Sequence, residues 1–145
     1  MKVLTIILAT LFSSLAMAAS VSELLVDNLK HESKSYTCNI TNVDTLDYQE
    51  LVVCVKGRDM RAIELINLWV ANFTAKNSTE KEHTQFVVRA NELIKGATYV
   101  LSIKNIKGEY MTAFCTDCES IESASLLNDK SSFVFDSLRQ LAKPD

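Results

Sequence analysis

Thr84-Gln-Phe-Val-Val-Arg-Ala-Asn-Glu-Leu-Ile-Lys-Gly-Ala-Thr-Tyr-Val-Leu-Ser-Ile103 is the stretch on which the fold turns. From Thr84 to Asn91, Thr84, Phe86, Val88 and Ala90 alternate with Gln85, Val87, Arg89 and Asn91, which predicts a strand with two distinct faces. Upstream, Thr79-x-x-Glu82 also fits the cap of a helix running to Lys95. The Phe86-Val-Val run favours the strand of the two readings. Gly96 then resets the chain. Beyond it Tyr99, Leu101 and Ile103 alternate with Val100, Ser102 and Lys104, a second strand that ends at the Lys107-Gly108 turn.

Before this stretch, Asp59 sits where an N-cap belongs, and Ala62, Leu65, Ile66, Trp69, Val70 and Phe73 recur at three- and four-residue intervals. That spacing predicts a helix with a broad apolar face, closed by polar Asn77-Ser-Thr-Glu80, and Trp69 in helical phase reads as a core anchor. Further upstream, Ser20-x-x-Glu23 opens a short helix through about Lys30. Ser35–Ile40 and Leu51–Lys56 then read as strands joined by a polar loop with Asn42, Asp44 and Asp47. Downstream, Tyr110–Cys115 and Ser132–Leu138 are strand candidates, and Glu119–Asp129 is a loop or a short helix. One long helix laid across an antiparallel sheet, an α+β fold, is the economical arrangement, because each apolar sheet face needs a partner.

The first 18 residues have the layout of a secretory signal peptide: Lys2, an apolar run from Val3 to Leu15, then Ala16-Met17-Ala18. The run is too short to span a bilayer. Residues 19–57 are read as an N-terminal extension of helix and hairpin, and 58–145 as the main α+β domain. Of the 145 residues, 18 are acidic and 15 basic, interspersed, for a net charge of −3. This balance offers no electrostatic footprint for nucleic acid and no polybasic membrane patch.

Cys38, Cys54, Cys115 and Cys118 all lie after the leader, and an even count in an exported chain is read first as disulfides. Three connectivities are open. Cys38 with Cys54 is favoured, since the two can face each other across a hairpin. Cys115-Thr-Asp-Cys118 could close on itself, pair with distant cysteines or act as a redox dithiol. Redox chemistry wants a helix N-terminus and an opposing cis-proline, yet the single proline is Pro144. The spacing does not suit zinc, and no metal or cofactor is expected. Asn39, Asn72 and Asn77 begin Asn-x-Ser/Thr sequons, acceptors for glycans in a eukaryotic secreted protein. His31 and His83 lie in polar segments with no adjacent nucleophile, and Glu122, Asp129 and Asp136 form no acid/base pair. The chain is therefore expected not to be an enzyme.

The order of helix, Phe86-Val-Val-Arg-Ala90, Glu92-Leu-Ile-Lys-Gly96 and Tyr99-Val-Leu101 resembles the first half of a cystatin, over roughly residues 60–104. Glu92, Ile94, Gly96 and Tyr99 fall where that family has the glutamine, valine and glycine of its first hairpin loop and a following aromatic. The resemblance implies a secreted inhibitor of papain-like cysteine proteases with Glu92, Leu93, Ile94, Lys95 and Gly96 as the binding loop and Gly57 as a stand-in for the N-terminal glycine. The family's Pro-Trp second loop has no counterpart, because the sole tryptophan is Trp69 and the sole proline Pro144. A non-inhibitory binding protein on the same scaffold is the alternative, and a thiol–disulfide protein using Cys115 and Cys118 the third.

Overall fold

The computed structural model describes residues 21–43, 45, 47–127 and 132–143. The leader, the Ser20 cap, Asp44, Asp129 and Pro144 lie outside the described residues. The chain runs α1 (Val21–His31), β1 (Tyr36–Asn42), β2 (Tyr48–Lys56), α2 (Met60–Thr74), α3 (Glu80–Ile94), β3 (Tyr99–Asn105), β4 (Tyr110–Cys115), β5 (Ser125–Leu127) and α4 (Phe133–Ala142). The strands form one antiparallel sheet in the order β1-β2-β3-β4-β5. The α+β class and the packing of helix on antiparallel sheet are as the sequence predicts, and so are the N-terminal helix and hairpin.

The sheet is covered on both faces. On one, α2 and α3 pack Ala62, Leu65, Ile66, Trp69, Leu93 and Ile94 against Leu51, Val53, Val55, Tyr99, Leu101 and Ile103. On the other, α1 and α4 bring Val26, Leu29, Val134, Phe135 and Leu138 onto Val52, Cys54 and Val100. Residues 51–55 are consequently buried without a break. An uninterrupted Leu-Val-Val-Cys-Val run is what a strand buried on both faces requires. Ser102 faces the α1–α4 side at 0 % exposure, and its hydroxyl hydrogen-bonds that of Thr112 at 2.8 Å, so the polar pair is satisfied inside the layer. Since β2 lies between β1 and β3, residues 36–56 are part of the same sheet as residues 99–127, not an appendage to a domain that starts at 58.

Two segments read as strands are helices. Between Thr84 and Asn91 the structure continues α3, whose half-buried and buried positions are Phe86, Val87, Ala90, Asn91, Leu93 and Ile94. That is a helical stripe, whereas the strand phase would bury Val88, which is 55 % exposed. The Thr79 hydroxyl accepts a hydrogen bond from the Glu82 N–H at 3.1 Å, so the capping signal outweighed the β propensity of Phe-Val-Val. Likewise Ser132–Leu138 is not a strand. It lies in α4, which buries Val134, Phe135 and Leu138 at the same helical spacing. Asp59 caps α2 as expected, accepting from the Ala62 N–H at 3.0 Å, and α2 ends at Thr74, just before the polar segment. Within Glu119–Asp129 the described part holds a 3-10 turn, Ile121–Ser123, and the short edge strand β5.

Candidate functional site

Two regions gather residues singled out in the sequence and a third does not; the first is the junction after α3. Glu92, Leu93 and Ile94 form the last turn of that helix rather than a hairpin loop. Leu93 and Ile94 are 8 % and 0 % exposed, and Glu92 is paired with Arg89 one turn back at 3.1 Å. Glu92, Lys95 and Gly96 reach the surface, with Leu93 and Ile94 turned inward. Gly96 has φ +76°, the left-handed conformation that lets the chain leave the helix for β3.

From α2, Arg61 donates Nε–H to the Leu93 carbonyl at 2.8 Å and its other guanidinium arm to the Lys95 carbonyl. A cation on the last carbonyls neutralises the negative end of the helix dipole. Gly57, expected as part of the same wedge, lies between β2 and α2. Its N–H donates to the Ser35 carbonyl at 2.7 Å and its carbonyl accepts from the Thr37 hydroxyl at 2.6 Å, so it belongs to a fastened connection and not to a free tail.

The second region, around Cys115 and Cys118, adjoins the first. The Gly96 N–H donates to the Cys118 carbonyl at 2.7 Å, and the Cys118 N–H to the Ala97 carbonyl at 2.9 Å. Lys95, Gly96, Asp117, Cys118 and Glu119 line an open hollow of about 460 Å³ between them. Both cysteine pairs are closed as disulfides, Cys38–Cys54 and Cys115–Cys118. The first joins directly opposed residues of β1 and β2 with Cα atoms 4.1 Å apart, a position whose neighbours, not itself, carry the ladder hydrogen bonds.

The Cys115–Cys118 ring closes a turn at the end of β4, with Asp117 at φ +49°, and it does not open a helix. Cys115 and Cys118 are 7 % and 2 % exposed, so an attacking thiolate has little approach. Free-thiol titration of the folded protein is therefore expected to read zero before and after a mild reductant, rising to four thiols per chain only when reduction is done in denaturant. Thiols appearing under native conditions would make the second pair exchangeable. The pairing points to an oxidising environment, and no described helix is long and apolar enough to cross a membrane.

The third region escaped the sequence reading. At the turn end of β3 and β4, Tyr48, Ile103, Ile106, Met111 and Leu127 line a cavity of about 630 Å³ rimmed by Asp47, Asn105, Lys107 and Glu109. Ile106 and Met111 are 53 % and 46 % exposed, and on the edge strand Leu126 is 65 % exposed. The signal was present but faint: Ile106 puts an aliphatic side chain in a turn otherwise made of polar residues, and Met111, opposite Ile103 on the face of Ala113 and Cys115, sits at the turn end of β4. Around Asn105 that turn is stiff, because the Asn105 side-chain oxygen accepts from the N–H groups of Lys107 and Glu109.

The other candidates stay apart from these regions. Asn39 is exposed on β1, Asn72 half-buried on α2 and Asn77 exposed in the α2–α3 connection, so their surroundings leave Asn39 and Asn77 open to modification. His31 and His83 are exposed. Among the described residues no three His, Cys, Asp or Glu side chains gather as a metal would need. Tyr99 is 1 % exposed and its phenol is pushed up to about 12 by burial; burial, with Glu32 adding to it, also raises Tyr36.

A phenol that resists ionisation in the fold stabilises it fully below pH 10, and the contribution is lost as the pH climbs through about 12. Urea midpoints should accordingly fall from pH 10 upward, and Tyr99→Phe should flatten that fall. An equally steep loss in Tyr99→Phe would assign it to other groups.

The fold and these regions define a class: a disulfide-bonded α+β domain with helices on both faces of a five-stranded meander. Compared with protein-family models, curated proteins and solved structures, the chain matches none of them.

Proposed function

We propose that the chain is a secreted, non-catalytic binding protein that holds a partner protein through the turn end of β3 and β4. The observation that carries this reading is the pairing of a cavity of about 630 Å³ with exposed Ile106 and Met111 on its wall. An apolar cavity bordered by a few polar groups suits an aliphatic or aromatic anchor side chain of a partner, with Lys107 and Glu109 placed to pair with its flanking polar groups. The leader pattern at residues 1–18 and the two disulfides support export.

Inhibition of a papain-like protease through Glu92–Gly96 asks those residues to project as a loop into a cleft. Here two of them are core and their backbone is fastened by Arg61 and Cys118, which argues for the binding reading over the wedge. Two assays separate them. Titration against papain with a fluorogenic substrate is expected to leave the protease active at micromolar protein. Affinity capture from the exported fraction of the source organism is expected to retain a partner on the wild-type protein and on Lys95→Glu, and to lose it on Met111→Glu. Stoichiometric papain inhibition, or capture indifferent to Met111→Glu, would overturn the proposal.

A further inference from the structure

We propose that two copies of this chain pair through β1, edge to edge and antiparallel about Asn39, joining their sheets into one. The pairing pattern of β1 with β2 decides which groups are free. The Val43 N–H donates to the Gln49 carbonyl and the Gly57 N–H to the Ser35 carbonyl, in the same register as Thr37 with Val55, Asn39 with Val53 and Thr41 with Leu51. The odd-numbered residues of β1 therefore bond inward, and the N–H and C=O of Tyr36, Cys38, Ile40 and Asn42 point outward. β1 has no other neighbour in the sheet; the Tyr36 N–H turns back to the Ser33 carbonyl, and the outward groups of Cys38, Ile40 and Asn42 make no sheet bond.

Proteins usually blunt such an edge with charge, proline, a bulge or shortness. Across Tyr36-Thr-Cys-Asn-Ile-Thr-Asn42 there is no charged residue, no proline and no shift of register. The opposite edge, β5, is only three residues long. The Cys38–Cys54 disulfide also pins β1 to β2, so the edge is a rigid template whose ordering is already done before a second strand arrives.

A second copy fits this edge because the strand complements itself. An antiparallel pairing centred on Asn39 sets Thr37 opposite Thr41 and Cys38 opposite Ile40 of the second copy, and Asn39 opposite its own counterpart. Thr–Thr pairs are favourable across strands, and no like charges meet. The faces continue as well. Cys38 and Ile40 flank the core under α1 and α4, while Thr37, Asn39 and Thr41 share the other face. Asn39 is exposed; its side-chain oxygen accepts from the Thr41 hydroxyl, and its amide NH2 is left to donate to Asn39 of the second copy. This arrangement is isologous, as two-fold dimers are, and leaves the β3–β4 cavity free.

The test uses the disulfide-bonded chain made without glycans, since a glycan on Asn39 would cover the edge. Sedimentation across a concentration series should show a monomer–dimer equilibrium. Asn39→Lys and Asn39→Asp each place like charges face to face at the centre, and each should weaken dimerisation at least roughly tenfold. Their circular dichroism and melting should remain those of the wild type, because residue 39 is exposed. Mixed one to one, the two variants should recover a dimer containing one of each. A wild-type protein that stays monomeric throughout, a dimer indifferent to lysine at 39, or a mixture that fails to reassociate would each overturn the proposal.

Discussion

Trp69→Ala is expected to remove about 3–5 kcal/mol of stability, the cost of truncating a large buried aromatic whose site does not collapse. Trp69 is 6 % exposed and central to an aromatic cluster. Its ring centroid lies 5.4 Å from Phe86, 5.7 Å from Tyr99 and 6.4 Å from Phe73, and so ties α2 to α3 and to the sheet at once. Aromatic pairs at such separations add to what area burial alone supplies. The indole N–H is buried without a hydrogen-bond partner. Trp69→Phe keeps much of the ring packing while deleting that orphaned donor, so it should cost far less than the alanine variant. Urea denaturation of both variants checks this. Equal losses for the two would mean that the indole makes a polar contact essential to the core. A loss under about 1 kcal/mol for Trp69→Ala would mean that α2 does not anchor this face.

Replacing Cys38 and Cys54 together by alanine is expected to cost about 3 kcal/mol, because their bridge closes a loop with a sequence separation of 16 in the unfolded chain. Removing Cys115 and Cys118 should cost less, about 2 kcal/mol, since that loop spans only three positions. Thermal melting of the two double variants gives the order directly. The first bridge has a further consequence. It locks a directly opposed pair, and a slip of one residue between β1 and β2 would exchange Tyr36, Cys38 and Ile40 with Thr37, Asn39 and Thr41 between the two faces. The Cys38/Cys54 variant should therefore also show faster hydrogen exchange along β1. A larger loss on removing the second bridge would place the weakest part of the fold at the β4 turn instead.

How far the sequence disclosed this fold depends on which signal each segment carried. Asp59 and the Ala62-Leu65-Ile66-Trp69 spacing gave α2 its start and its buried face, because cap and periodicity agreed. The Cys38–Cys54 facing pair followed from two short strands on either side of a polar loop. α3 was read as a strand because Phe86-Val-Val and two-residue alternation are local signals, whereas the burial of Ala90, Leu93 and Ile94 depends on contacts with α2 and the sheet. The Thr79 cap was legible and was the better guide. α4 misled in the same way: Ser132–Leu138 is too short a window for its Val134, Phe135, Leu138 stripe to separate from alternation.

The two-sided burial of the sheet was written in the unbroken Leu51–Val55 run, but one long helix could cover only one face. The second layer is made by α1 and α4, of which the first was read as peripheral and the second as a strand. At the candidate site, Glu92–Gly96 suggested a projecting loop through motif spacing alone. The cavity beside Ile106 and Met111 depends on how the β3–β4 turn closes over Tyr48, a long-range contact that no local pattern encodes.

The claim that the β3–β4 end, and not the end of α3, is the surface that meets a partner is best tested by site-specific photocrosslinking. A photoreactive side chain would replace Ile106 in one protein and Lys95 in another, both exposed positions, with each irradiated in the exported fraction of the source organism. A covalent adduct with another protein from position 106 and none from position 95 is the predicted result; an adduct from position 95 with none from position 106 would contradict the account.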